Sequence, residues 1–146
     1  MNSELSFRLV PFGSPEYDQT VALRYEILRR PLGLSFDPAQ LSAEGTDHHL
    51  ACYRDDELVG CLVLTPRAAG EMKMRQVAVA ESLQGTGIGR RMVEESERIT
   101  RELGFDRISL NARANVVPFY EKLGYQVFGQ PFEEVTIRHR SMWKVL

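Results

Sequence analysis

The stretch QGTGIGRR, Gln84 to Arg91, places Gly85, Gly87 and Gly89 ahead of Arg90 and Arg91. An apolar, strand-like run precedes it and a helical pattern follows. Glycines let a ligand come close to the main chain, and the first amides of a helix have no partner within the helix. The helix dipole favours negative charge at that same end, so two arginines there run against it unless an anion lies beside them. The chemistry this combination suits is phosphate binding; a turn serving chain reversal alone is the other reading. Two phosphate signatures fail. A P-loop needs GxxxxGK[ST], whereas Gly89 leads into Arg90-Arg91. In GxGxxG, read from Gly85 and Gly87, the third glycine would fall at Arg90.

The elements that must position this stretch follow from the spacing of apolar residues. Residues 5–10 read as a strand, then Pro11, Gly13 and Pro15 break the pattern. Helical spacing runs from Glu16 to Arg30, where Pro31 and Gly33 stop it. Residues 31–46 read as a loop with a short helix. Strands follow at 48–54 and 57–64, joined by Asp55-Asp56. Leu58, Leu62 and Leu64 would face one way and Val59, Cys61 and Val63 the other, which implies a central strand covered on both sides. A strand at 71–80 leads into the glycines. A helix from Ile88 to Leu103 carries Ile88, Met92, Ile99 and Leu103 on one stripe, and Gly104 ends it. A strand at 106–112 comes next, then a short helix capped by Asn115 with Pro118 in its first turn. The tail reads as two strands turning at Gly129-Gln130-Pro131.

Bulk properties set limits. The 146 residues suit one domain, 1–146, with one core. Hydrophobic residues make up 43% and the net charge is −2, which argues against a general nucleic-acid binder. No run approaches the roughly 18 apolar residues of a membrane span. MNSELSFRLV lacks the pattern of a signal peptide, so a cytoplasmic location is expected. With Asp55-Asp56 as the turn, Cys52 would pair with Val59 and Cys61 with Leu50. The thiols would then be diagonal neighbours about 7–8 Å apart, beyond the ~5.5–6 Å a disulfide prefers, so free buried thiols are expected. No cysteine or histidine cluster suggests a metal site.

The stretch VAVAESLQGTGIGRRMV, 77–93, resembles the coenzyme A signature of the GNAT superfamily of acyl-CoA-dependent N-acyltransferases. That signature is a strand followed by R/Q-x-x-G-x-G/A, with Gln84, Gly87 and Gly89 in its places. NVVPFYEKLGYQVFG, 115–129, is similar to the family's later segment, an FY pair followed by E-K-x-G-F/Y. The chain departs from many relatives at Arg113 and Val116, where they carry Asn and Ala. The resemblance implies an α+β, three-layer fold: a mixed, mostly antiparallel sheet with helices on both faces. Strands 71–80 and 106–112 would splay apart to form an acyl-CoA cleft. It implies acetyl-CoA as co-substrate, with backbone groups of Val77, Ala78 and Val79 along the pantetheine. Amides of Gln84, Gly85, Thr86, Gly87, Ile88, Gly89 and Arg90 would hold the pyrophosphate. Phe119 would complete the coenzyme site, together with Asn111 at the end of its strand, for which a turn-forming role is the other reading.

The implied reaction is direct acetyl transfer to a primary amine, of a small molecule or a peptide. No cysteine lies in either motif, which disfavours an acyl-enzyme. An amine with pKa near 10.4 is neutral in only about one molecule in 2,500 at pH 7, so a base or desolvation must free its lone pair. A strand amide near Val77–Val79 would meet the oxyanion. In the family pattern Tyr120 protonates the departing sulfur. From an ordinary phenol to a thiolate near 8.5 that step is uphill by ~2 kcal/mol; the other reading packs Tyr120 in the core beside Phe119. His139 either faces the cleft and accepts the amine's proton or is a surface residue on an edge strand. His48 and His49 read as solvated or structural, Glu71 as an exposed strand-end carboxylate, and Arg91 as solvated. The rival readings are a non-catalytic acyl-CoA sensor on the same fold and a nucleotide-phosphate binder of another class. An edge strand near the C-terminus could pair two copies into a homodimer.

Overall fold

The computed structural model describes residues 4–146. Seven strands form one sheet: β1 Leu5–Val10, β2 His48–Arg54, β3 Glu57–Pro66, β4 Glu71–Val79, β5 Arg107–Arg113, β6 Gln126–Glu134 and β7 Ile137–Val145. Their order across the sheet is β1-β2-β3-β4-β5-β7-β6. Every neighbouring pair is antiparallel except β4 with β5. Helices α1 (Pro15–Arg24), α2 (Pro38–Ser42), α3 (Ile88–Glu102) and α4 (Val117–Lys122) complete the fold. Alternation along β2 separates two layers. Leu50 and Cys52 pack with Met92 and Val93 of α3, while Ala51 and Tyr53 pack with Tyr17 and Val21 of α1. The mixed sheet with helices on both faces is therefore as the resemblance implies, and no helix among the described residues is long and apolar enough to cross a membrane.

The β2–β3 hairpin differs from the expected register. Arg54 pairs with Glu57 and Tyr53 with Leu58, but Cys52 then pairs with Gly60, so Val59 is bulged out. A bulge puts two residues opposite one and reverses the alternation beyond it. Val59 thereby joins Leu62 and Leu64 on the α3 face, and Leu58 packs on the α1 side. Cys52 packs on the α3 side, whereas Cys61 lies on the other and approaches the Thr20 carbonyl at 3.7 Å. Both thiols are free and buried. The expected absence of a disulfide holds, but because the sheet stands between the sulfurs.

A second bulge shapes β4. Val63 pairs with Arg75 and Cys61 with Ala78, leaving Gln76 out of step at φ 56°. Met72 and Met74 pack on the α3 face before the bulge, and Val77 and Val79 after it. Pairing of β4 with β5 stops at Met74 with Leu110, so the rest of the β4 edge has no strand beside it.

Other boundaries shift for local reasons. Helix α1 starts where expected, with Ser14 Oγ accepting from the Tyr17 amide and Pro15 at the first position. Beyond Arg24 it widens into a π-helical turn over Tyr25–Arg29 and tightens over Arg30–Leu32. Leu103 is 45% exposed because the helix ends before it. Val116 caps α4 and Asn115 makes no capping bond. The tail turns at Val135-Thr136, with φ of 47° and 64°, while Gly129–Pro131 form a bulge inside β6. β-Branched residues rarely adopt positive φ, so nothing in their types marked that turn.

Candidate active site

The gap left between β4 and β5 opens into a cleft of about 830 Å³. It brings together Val77, Val79, Gln84, Gly85, Gly87, Gly89, Arg90, Asn111, Phe119, Tyr120 and His139. Of the residues expected at the coenzyme site, Ala78, Thr86 and Ile88 do not line it. Ala78 and Ile88 are buried, and Thr86 is exposed with its hydroxyl donating to the Leu83 carbonyl at 2.5 Å. The Gln76 bulge explains Ala78, since it sends Val77 and Val79 to the face that Ala78 leaves.

At one end lies the glycine turn. Gly85 and Gly87 hold φ of 80° and 91°, and a Cβ on either would meet nothing within 4 Å. Gly87 is the N-cap of α3 and supplies no side chain to cap it. Within the helix the first amide bonded is that of Arg91, to the Gly87 carbonyl at 3.2 Å. The amides of Gly85, Thr86, Gly87, Ile88, Gly89 and Arg90 find no acceptor among the described residues. Gln84 closes the base of the turn, its side-chain amide donating to the Val79 carbonyl at 3.1 Å. Gly89 lets α4 approach: a Cβ there would stand 3.4 Å from the Phe119 ring. Arg90 reaches the cleft and pairs with Glu94 at 3.6 Å, both exposed. Arg91 turns away over the Phe7 ring.

Tyr120 stands in the middle. Its ring packs edge-on against Phe119 and Tyr125, with centroids 5.0 and 5.7 Å away. No hydrogen bond engages its hydroxyl among the described residues, in contrast to Tyr125, which donates to Glu97 at 3.0 Å. Burial pushes the Tyr120 hydroxyl up to about 12. That raises the cost of giving its proton to a thiolate near 8.5 from ~2 to ~5 kcal/mol, and keeps the phenol protonated at every physiological pH.

The far end lies on the α1 side of the sheet. His139 is buried on β7, an inner strand between β5 and β6, so the edge-strand reading of this residue is corrected. Its ring stacks on Phe132. Nδ1 lies 2.7 Å from the Ile137 carbonyl, which can only accept, so Nδ1 carries the hydrogen and a neutral ring keeps its lone pair on Nε2. Nε2 is 3.9 Å from Glu134. Asn111 accepts from Ser141 Oγ at 3.1 Å.

Charged residues that the sequence reading left out, or noted only as a departure, complete this end: Arg29, Lys73, Arg75, Arg113, Glu44, Asp47 and Glu134. Gln76 also lines the cleft, and its Oε1 is buried without a partner. The period-two pattern of β5 puts Arg113 on the face of Asn111, a signal available in the sequence. Nothing local in RQV marked the bulge at Gln76. Histidines 48 and 49 are not part of the site; His49 is buried with Nε2 against the Glu44 carbonyl at 2.9 Å. Glu71 also lies elsewhere, accepting from Ser109 at 2.8 Å. No group of His, Cys, Asp and Glu arranged to hold a metal occurs among the described residues.

Comparison with known proteins places this arrangement in a family. Residues 35–146 match the model of an acetyltransferase (GNAT) domain. The chain is 27% identical over 137 residues to the uncharacterized N-acetyltransferase YitI of Bacillus subtilis, covering 88% of this chain and 91% of that one. An acyl-CoA N-acyltransferase from Pseudomonas aeruginosa superposes with a TM-score of 0.82 at 22% identity, over 97% of this chain and 99% of that one. A Bacillus subtilis acetyltransferase in complex with CoA superposes with a TM-score of 0.75 at 19% identity, over 98% and 99%.

Proposed function

Because the chain belongs to the GNAT family of acyl-CoA-dependent acetyltransferases, we propose that it transfers the acetyl group of acetyl-CoA directly to a primary amine. One observation supports this most: Gly85, Gly87, Gly89 and Arg90, whose amides find no acceptor among the described residues, line the same cleft as Tyr120, whose hydroxyl has no partner among them either. The amides at the start of α3 suit a diphosphate, since each supplies a donor and the helix dipole adds to them. The β4 edge left open beyond Met74 offers main-chain groups to the pantetheine amides, as an added strand would.

The residues then divide the reaction. The lone pair on His139 Nε2 takes a proton from the incoming ammonium, so that a neutral nitrogen attacks the thioester carbonyl carbon. The oxyanion formed is met by a main-chain N–H on the open β4 edge. As the C–S bond breaks, Tyr120 gives its proton to the thiolate, and the second proton shed by the nitrogen as it becomes an amide returns to the phenolate, so that His139 alone ends protonated and releases its proton to solvent. The uphill proton transfer of ~5 kcal/mol is small beside typical uncatalysed barriers, and the burial that raises the phenol makes the leaving thiolate more basic in the same way, which narrows the gap. The test is a panel of primary amines incubated with acetyl-CoA, with thiol release and acetylated product both measured. Binding of CoA with no transfer to any amine would favour the sensor reading instead.

A further inference from the structure

We propose that the acceptor is a small primary amine that also carries an anionic group, a carboxylate or a phosphate, held by the guanidinium groups of Arg29 and Arg113. This rests on the acetyltransferase reading above and narrows it to a substrate class.

The two arginines converge on one oxygen. Arg29 Nη1 donates to the Leu28 carbonyl at 3.3 Å, and Arg113 Nη2 donates to the same carbonyl at 3.2 Å. Each guanidinium has five N–H donors, and no ion pair to a carboxylate engages either among the described residues. Both are half-buried and line the cleft. Two like charges at one carbonyl repel each other, and burial adds to the cost. Burial, and then Arg113 itself, hold Arg29 below its ordinary value, and burial does the same to Arg113. An anion bridging the two forks would relieve both effects and meet the bidentate geometry that guanidinium provides.

The surrounding charges do not supply that anion. Glu44 is taken by Arg24 at 2.7 Å and Asp47 by Arg75 at 3.5 Å. Lys73 is a further cation in the cleft without a carboxylate partner among the described residues, also held down by burial and then by Arg67. Glu134 remains, half exposed and facing His139 rather than bonded to an arginine. This end of the cleft is thus positive in a chain whose net charge is −2.

The arrangement also orders the acceptor. Arg113 lies directly opposite His139 across β5 and β7, and opposed residues share a face with Cβ atoms about 4.5–5.5 Å apart. The base and the anion site are neighbours, which fits a molecule with few bonds between amine and anion. The pyrophosphate is not the anion in question. Arg113 follows Ala112, which packs on the α3 side, so alternation turns Arg113 to the α1 face, away from the glycine turn.

The test uses matched acceptors with acetyl-CoA: amino acids against their carboxamides, and phosphoethanolamine against ethanolamine. At least one anionic member should exceed its neutral match tenfold or more in kcat/KM, and which pair does so tells carboxylate from phosphate. In Arg29→Gln and Arg113→Gln that ratio should collapse toward one through a rise in KM, with Arg113→Lys intermediate. A separate measurement needs no turnover: inorganic phosphate, titrated into CoA-saturated protein, should raise Tm in the natural chain and not in the double Gln variant. Transfer that favours neutral amines or polyamines overturns the proposal while leaving the acetyltransferase reading intact. So does a tenfold loss of CoA affinity in either variant by calorimetry, which would assign the arginines to the coenzyme. If no amine reacts but phosphate stabilises in an arginine-dependent way, the anion site stands and the catalytic reading fails.

Discussion

Arg24 and Glu44 meet through two parallel contacts, Nη1 to Oε1 at 2.8 Å and Nη2 to Oε2 at 2.7 Å, with both side chains almost wholly buried. Tyr17 donates a further hydrogen bond to Oε1 at 2.8 Å. This pair ties α1 to the segment Ala43–Thr46, and so fixes one wall of the cleft. Removing one partner leaves a buried charge alone. Glu44→Gln should therefore destabilise by about 3–5 kcal/mol, read as a lower midpoint in urea unfolding. A variant within 1 kcal/mol of the natural chain would mean that water reaches Arg24.

The same pair sets an acid limit. Burial alone would raise the Glu44 carboxyl, but the hydrogen bonds and charge of Arg24 outweigh it and hold the carboxyl below its ordinary value. A depressed folded-state value means that the unfolded chain binds the proton more readily. The contribution is complete above the ordinary glutamate range and is lost as pH falls through it toward the folded-state value. Stability measured from pH 6 down to pH 3 should fall, and Glu44→Gln should flatten that slope.

Tyr120→Phe should lower kcat by about 10²–10⁴, the range of a positioned acid, with little change in CoA affinity. The hydroxyl makes no hydrogen bond among the described residues, so the ring contacts with Phe119 and Tyr125 survive and Tm should hold. With the phenol near 12, the natural enzyme should show no falling limb from this group up to pH 10. A Phe variant with natural kcat would assign protonation of the sulfur to solvent.

Much of this candidate site is legible in the sequence, and unevenly so. The glycine turn could be read because its chemistry is local: glycines at positive φ, an uncapped helix and arginines against the dipole lie within eight residues. The strand order around β5 and β7 could not, since β7 inserts between β5 and β6 and its pairing with β5 is far apart in sequence; that insertion removes the edge-strand alternative for His139 and buries it. The bulge at Gln76 carries no glycine or proline to mark it, whereas the one at Val59 lies beside Gly60, a strand-interior glycine that is itself a bulge signal; together they decide which of Leu58, Val59 and Ala78 face which layer. Arg29 could not be placed because the π-helical turn rotates it, and a steady 3.6-residue period does not anticipate that rotation.

His139→Asn should reduce kcat/KM by roughly 10²-fold near neutral pH. The deficit should shrink as pH rises toward the pKa of the acceptor, because the amine then loses its proton to solvent. A constant deficit at all pH values would make His139 a packing residue against Phe132 rather than the base.

Gly87→Val tests the grip on the diphosphate. At φ 91° a β-branched residue is strained, by about 1–2 kcal/mol, so Tm should fall by several degrees. No protein atom lies within 4 Å of the added Cβ, so the side chain would project into the space the phosphates need. CoA affinity, measured by calorimetry, should drop more than tenfold. Gly104→Val serves as the comparison, because it also stands at positive φ with open space around it, φ 87°, but at the far end of α3. It should lose similar stability and keep its affinity for CoA. Equal affinity losses in the two variants would show that strain in α3, and not the amides at its start, governs coenzyme binding.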